Sequence, residues 1–125
     1  MEEIKKLVYD YAKAIHNQNE KEFKALWSHH ENVLISLTNQ FKGTDTIYQD
    51  FLIGGIQKHY ESIDLIVEDI NTRYIDEKTA IVIFKYHTEC IRRQTKEEYG
   101  IQGLETQIVV KEDDGWKLMH VHYSK

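Results

Sequence analysis

The chain has 125 residues, of which 41% are hydrophobic and 30% charged, and 21 acids against 16 bases give a formal charge of −5. This length fits one domain over residues 1–125, large enough to bury a core without covalent staples. The acidic balance opposes nonspecific nucleic-acid binding, the lone Cys90 excludes an intrachain disulfide, and no apolar run approaches a membrane span. The opening "MEEIKKLVYDY" lacks the apolar stretch of a secretion signal. A cytoplasmic protein with no nucleic-acid or membrane partner is therefore expected.

Residues 3–16 predict a helix, because Ile4, Leu7, Val8, Tyr11, Ala12 and Ile15 recur at three- and four-residue steps. "HNQNEKE" breaks that pattern. Asn19 then suits the cap of a second, short helix, with Glu22 placed to reach back, and this helix would bury Phe23, Leu26 and Trp27. "NVLISLTNQFKG" alternates and reads as one strand. A third helix follows from Thr44 or Thr46, and Gly54–Gly55 predicts a break, a bend or a close approach of another backbone. Four long strands complete the chain: 63–75, 79–91, 104–112 and 116–124. The charged stretch "RRQTKEEYG" lies between the second and third. Short connections predict an antiparallel meander. Three helices must then cover one curved sheet, which gives an α+β cone-shaped roll with a cavity at its mouth.

This order, the "ALW…F-K-G" passage ending at Gly43 and the tail "ETQIVVKEDDGWKLMHVHYS" resemble the nuclear-transport-factor-2-like superfamily, in its SnoaL-like branch. The tail is also similar to the association domain of calcium/calmodulin-dependent kinase II, at Glu105, Thr106, Trp116, His120, His122 and Ser124. The superfamily hosts isomerases, cyclases, dehydratases and pure assembly modules, so the resemblance implies a fold and leaves the function to individual residues. Its steroid isomerases imply an aspartate base on the first strand, where this chain offers Leu34, Ser36 or Thr38. They imply an oxyanion-binding acid on the third meander strand, where Thr106 is in phase and Glu105 out of phase. They also imply a tyrosine on the first helix, available as Tyr9 or Tyr11. The arginines of the kinase association domain fall on Lys85, Gln107 and Tyr123.

Strict alternation puts Trp116, Leu118, His120, His122 and Ser124 on one strand face. His120 and His122 are thus the candidate acid–base pair bordering the cavity, since an imidazole titrates near neutral pH. Tyr9, Tyr11, Trp27 and Tyr48 on the helices are candidate ligand contacts, with Lys85 and Glu105 as polar partners. Parity alone does not fix whether Lys85, His87 and Glu89 face inward. His-x-His with Glu105 or His87 falls short of a full metal-ligand spacing, and "HH" at His29–His30 reads as solvated loop, so neither metal nor cofactor is expected. The expected function is binding of a small apolar or amphipathic molecule, with acid–base isomerase, cyclase or lyase chemistry as its catalytic form. The alternative is a non-catalytic dimerisation module. Strands 79–92 and 104–112 carry apolar residues on both faces, which predicts a homodimer in either case.

Overall fold

A computed structural model describes residues 2–125. Helix α1 (Glu2–Asn17) buries Ile4, Leu7, Val8, Tyr11, Ala14 and Ile15 on one stripe, while Glu2 and Glu3 lie at its positive end. Helix α2 (Glu20–Lys24) starts at the predicted cap: the Asn19 side chain accepts from the Glu22 amide at 2.9 Å. The return contact differs from a capping box, because the Glu22 carboxylate accepts from Asn17 Nδ2 at 3.1 Å.

The segment read as one strand is a tight hairpin. Strands β1 (Val33–Ser36) and β2 (Asn39–Lys42) pair antiparallel, and Leu37 turns the chain at φ 57°. Two residues suffice for such a turn when one takes a left-handed conformation. Gly54–Gly55 does not break the third helix. Helix α3 (Thr44–Thr46) runs on into a π-helix (Ile47–Gln57) that carries both glycines inside it. A Cβ on Gly54 would sit 3.1 Å from the Gln49 carbonyl oxygen, five residues back, so the wider turn accommodates glycine best there.

The long strands are β3 (Tyr60–Asp76), β4 (Thr79–Arg92), β6 (Gln102–Glu112) and β7 (Gly115–Tyr123), with a short β5 (Glu98–Tyr99) inside the charged loop. The sheet order is β2-β1-β7-β6-β4-β3, with β5 pairing β4. The predicted meander is present, and β1 joins it parallel to β7, so the sheet is mixed but mostly antiparallel. Register shifts on β3 near Tyr60, Val67 and Tyr74, and another between β6 and β7, increase its twist and curl it into a half-barrel.

Helices cover the concave face only. From the sheet that face contributes Ala80, Val82, Phe84, Tyr86, Cys90, Glu105, Gln107, Val109, Leu118 and Val121. An aromatic cluster of Tyr11, Phe23 and Trp27 seats α1 and α2, with ring centroids 5.8–6.4 Å apart. Main-chain bonds from Ser28 to Leu118 and from Leu118 to Leu26 fix the end of α2 to β7. Among the described residues no helix is long and apolar enough to cross a membrane.

Candidate functional site

Where α1, the π-helix and the sheet diverge, they enclose a cavity of about 180 Å³. Ile15, Phe51, Ile63 and Leu65 give it apolar walls, and Tyr60, Tyr86, Tyr99 and Tyr123 give it aromatic ones. Tyr60 and Tyr99 stack at 6.0 Å and 11°, and the Arg92 guanidinium lies 4.0 Å over Tyr99. Two acidic hydrogen donors open onto this space from opposite sides, Tyr11 on α1 and Glu105 on β6.

Glu105 is only 3% exposed. One carboxyl oxygen, Oε2, accepts from Gln107 Nε2 at 2.8 Å. No cation is paired with it among the described residues. Burial therefore pushes its pKa up to about 8, against the smaller opposing effect of the Gln107 amide. Tyr11 is 1% exposed, and no described residue hydrogen-bonds its hydroxyl. Burial, and then the neighbouring Glu105, hold its pKa well above the usual phenol value. Tyr86 and Tyr123 are shifted upward, first by burial and with Glu105 contributing. Their hydroxyls are already engaged: Tyr86 donates to the Ser124 carbonyl at 2.9 Å, and Tyr123 shares a 2.5 Å hydrogen bond with Ser36. Burial raises the Cys90 thiol too. Near neutral pH these phenols and the thiol stay protonated, and Glu105 is the group poised to exchange a proton.

The structure brings together only part of the predicted site. Tyr11 and Glu105 line the cavity. Tyr9 lies on the opposite side of α1 and is 54% exposed. Trp27 is buried in the aromatic cluster, and Tyr48 packs on Phe23 outside the cavity. Lys85 points away with His87 and Glu89, because the alternate β4 residues Phe84, Tyr86 and Cys90 are the buried ones. His87 sits on that convex face between Glu68 and Glu89, at 2.8 and 3.1 Å, and these carboxylates raise its pKa.

His120 and His122 do not share the face of Trp116. Ile108 pairs with His120 and Val109 with Leu118, so Met119 has no partner on β6. This one-residue bulge reverses the alternation after Leu118. Leu118 and Val121 are buried and Tyr123 lines the cavity, while the histidines lie on the convex face opposite Ile108 and Thr106. The pKa of His120 is lowered, by partial burial and then by His122.

Comparison with known proteins agrees with this fold. The SnoaL-like domain matches residues 4–125. The chain belongs to that family. Among solved structures, a nuclear transport factor 2-like superfamily protein from Salmonella enterica superposes on this SnoaL-like domain with TM-score 0.89 and 23% identity, over 98% of this chain and 88% of that one. A candidate scytalone dehydratase from Novosphingobium aromaticivorans gives 0.87 and 18%, over 98% and 81%. A Xanthomonas campestris protein named for the calcium/calmodulin-dependent protein kinase II association domain gives 0.81 and 16%, over 98% and 84%. At these identities the likeness shows a shared fold. No curated protein matches the sequence.

Proposed function

We propose that this SnoaL-like domain binds a small, neutral, amphipathic molecule in the cavity and exchanges a proton with it through Glu105. The observation that carries this reading is a buried carboxyl with no paired cation among the described residues, opening on an aromatic-walled cavity and titrating near pH 8. Below that pH the neutral acid donates to a ligand oxygen. Above it the carboxylate takes a proton from an acidic O–H or C–H. Tyr11 keeps its proton throughout and supplies a second donor, so an oxygen that gains charge can be stabilised. Isomerisation and elimination both need this pair of roles. The dehydratase named among the structural neighbours fits the second of them.

A thermal-shift screen against neutral carbonyl and hydroxyl compounds tests the reading, because a molecule held by the native state raises the melting temperature. For a hit, Tyr11→Phe and Glu105→Gln should each lower turnover by roughly 100-fold or more, within the range for a positioned acid or base. Under the same conditions His120→Ala and His122→Ala should leave both binding and turnover unchanged. Turnover that survives Glu105→Gln, or fails with either histidine variant, contradicts the assignment.

A second reading rests on the convex face. Ile83 and Leu104 are 44% and 53% exposed there, and Ile66 and Met119 are also open to solvent. We propose that this face, with His120 and His122 on it, joins two copies of the chain, as an assembly module would. Sedimentation should show a dimer at micromolar concentration, and Leu104→Lys should give monomers by placing a charge in the seam. A parent chain that sediments as a monomer rejects this interface.

A further inference from the structure

The pair His29–His30 belongs neither to the cavity nor to the proposed seam. The loop after α2 holds it against the β6–β7 hairpin, seven residues along β6 from Glu105, or about 23 Å of strand. His29 Nε2 lies 2.9 Å from Asp114 Oδ2 and 4.0 Å from Glu112 Oε1. The three ligand-capable atoms all fall within 4.8 Å of one another.

An ordinary surface ion pair joins one carboxylate to one imidazole, with both in water. Here two carboxylates from different residues converge on one nitrogen. The Glu112 side chain is only 11% exposed. Its Oε2 accepts from Ser28 Oγ at 2.5 Å and its Oε1 from the His29 amide at 3.1 Å. Burial alone would raise its pKa, but these two bonds, with the nearby His29 and His30 imidazoles, outweigh it and leave the carboxyl below its ordinary value. His29 and then Lys117 hold Asp114 down to about 2, so both acids are ionised at neutral pH. Lys117 Nζ lies 3.2 Å from the same Asp114 Oδ2 that faces His29 and donates to the Ala25 carbonyl at 2.7 Å, so an entering ion has to displace the lysine from that oxygen or take the other one.

We propose that His29, Glu112 and Asp114 form a binding site for a divalent transition cation of the zinc type. One imidazole nitrogen and two carboxylate oxygens, with a position left open, are donors that zinc accepts, whereas magnesium and calcium favour oxygen alone. Ligand atoms on a tetrahedral zinc stand about 3.3 Å apart at ordinary bond lengths, and the separations of 2.9 and 4.0 Å bracket that value. Rotation of the exposed His29 and Asp114 side chains closes the difference around a fixed Glu112. The hydrogen that Nε2 now directs at Asp114 moves to Nδ1 or to solvent, and the freed lone pair goes to the ion.

The test is calorimetric titration of the metal-stripped chain with zinc chloride, paired with thermal melting. One ion per chain is expected, with a melting temperature that rises with zinc concentration. His29→Ala and Asp114→Asn should each weaken binding at least roughly 10-fold, the loss typical even of groups that only support a ligand. Both side chains are exposed, so the metal-free variants should lose only the small contribution of a solvent-screened ion pair and melt close to the parent. His87→Ala removes another imidazole held between two carboxylates and should leave zinc affinity unchanged. Absence of a stoichiometric site, unaltered affinity in His29→Ala or Asp114→Asn, or equal affinity for magnesium would overturn the proposal.

Discussion

Replacing Glu105 with glutamine is expected to stabilise the protein by about 3 kcal/mol at pH 7. Folding raises the Glu105 pKa from its ordinary 4.5 to about 8, because burial penalises the carboxylate. The folded chain thus binds this proton more tightly than the unfolded chain does. The stabilisation that comes with it is complete below pH 4.5, fades as pH rises, and is gone once pH passes 8. Every tenfold difference in proton affinity is worth about 1.4 kcal/mol, so the wild-type penalty reaches between about 4 and 5 kcal/mol above pH 8. Glutamine keeps the shape and a hydrogen bond toward Gln107 but carries no charge, so it escapes the penalty at every pH. Urea melts of both proteins at pH 4, 7 and 9 check this. The curves should coincide at the acidic end and separate steadily toward the basic one. A constant gap, or a less stable variant at pH 9, would show that Glu105 is not desolvated. A stability gain alongside lost turnover is the pattern of a site whose strain serves function.

The fold was legible because its signals are local and repeated. The apolar stripe of α1, the Asn19 cap and the short β6–β7 turn each dictate one element, and each is present. The site was less legible, for two reasons. Alternation reports a face only while the register is regular, and one unpaired residue, Met119, sends His120 and His122 outward. Along β6 the usual sense of polarity is inverted. Glu105 and Gln107 point into the molecule, while Leu104 and Ile108 face away from it, because the convex face is itself apolar. Glu105 stands out in sequence as a candidate, but its phase is fixed by Val109, which is fully buried two pairs further on. The two central residues of the hairpin turn, Leu37 and Thr38, are neither glycine, asparagine nor proline, and Asn39 only closes the turn opposite Ser36, so the sequence marked it weakly.

The strand end beside the cavity makes the other large prediction. Gly103 on β6 lies under the chain at Ser124–Lys125. A Cβ there would overlap the Ser124 carbonyl oxygen and stand 2.9 Å from Lys125 Cα. Backbone cannot yield as the tip of a side chain can, so Gly103→Ala should push this tail off the sheet. Two hydrogen bonds go with it: Ser124 N–H to the Leu104 carbonyl at 2.9 Å, and the Tyr86 hydroxyl to the Ser124 carbonyl at 2.9 Å. At about 1 kcal/mol each, plus the strain of any tail that stays, the cost is roughly 2–3 kcal/mol. The functional effect should be larger than that figure suggests. Lys125 borders the cavity, and a displaced tail admits water beside Glu105. Its pKa should then fall from about 8 toward 4.5, and the pH dependence described for the wild type should shrink. A double-mutant cycle separates strain from displacement. Deleting Ser124 and Lys125 should destabilise the chain about as much as Gly103→Ala does, and adding Gly103→Ala to the shortened chain should cost little more. If the two effects instead add in full, the glycine serves the strand's own conformation, and the tail is not what fills the space above it.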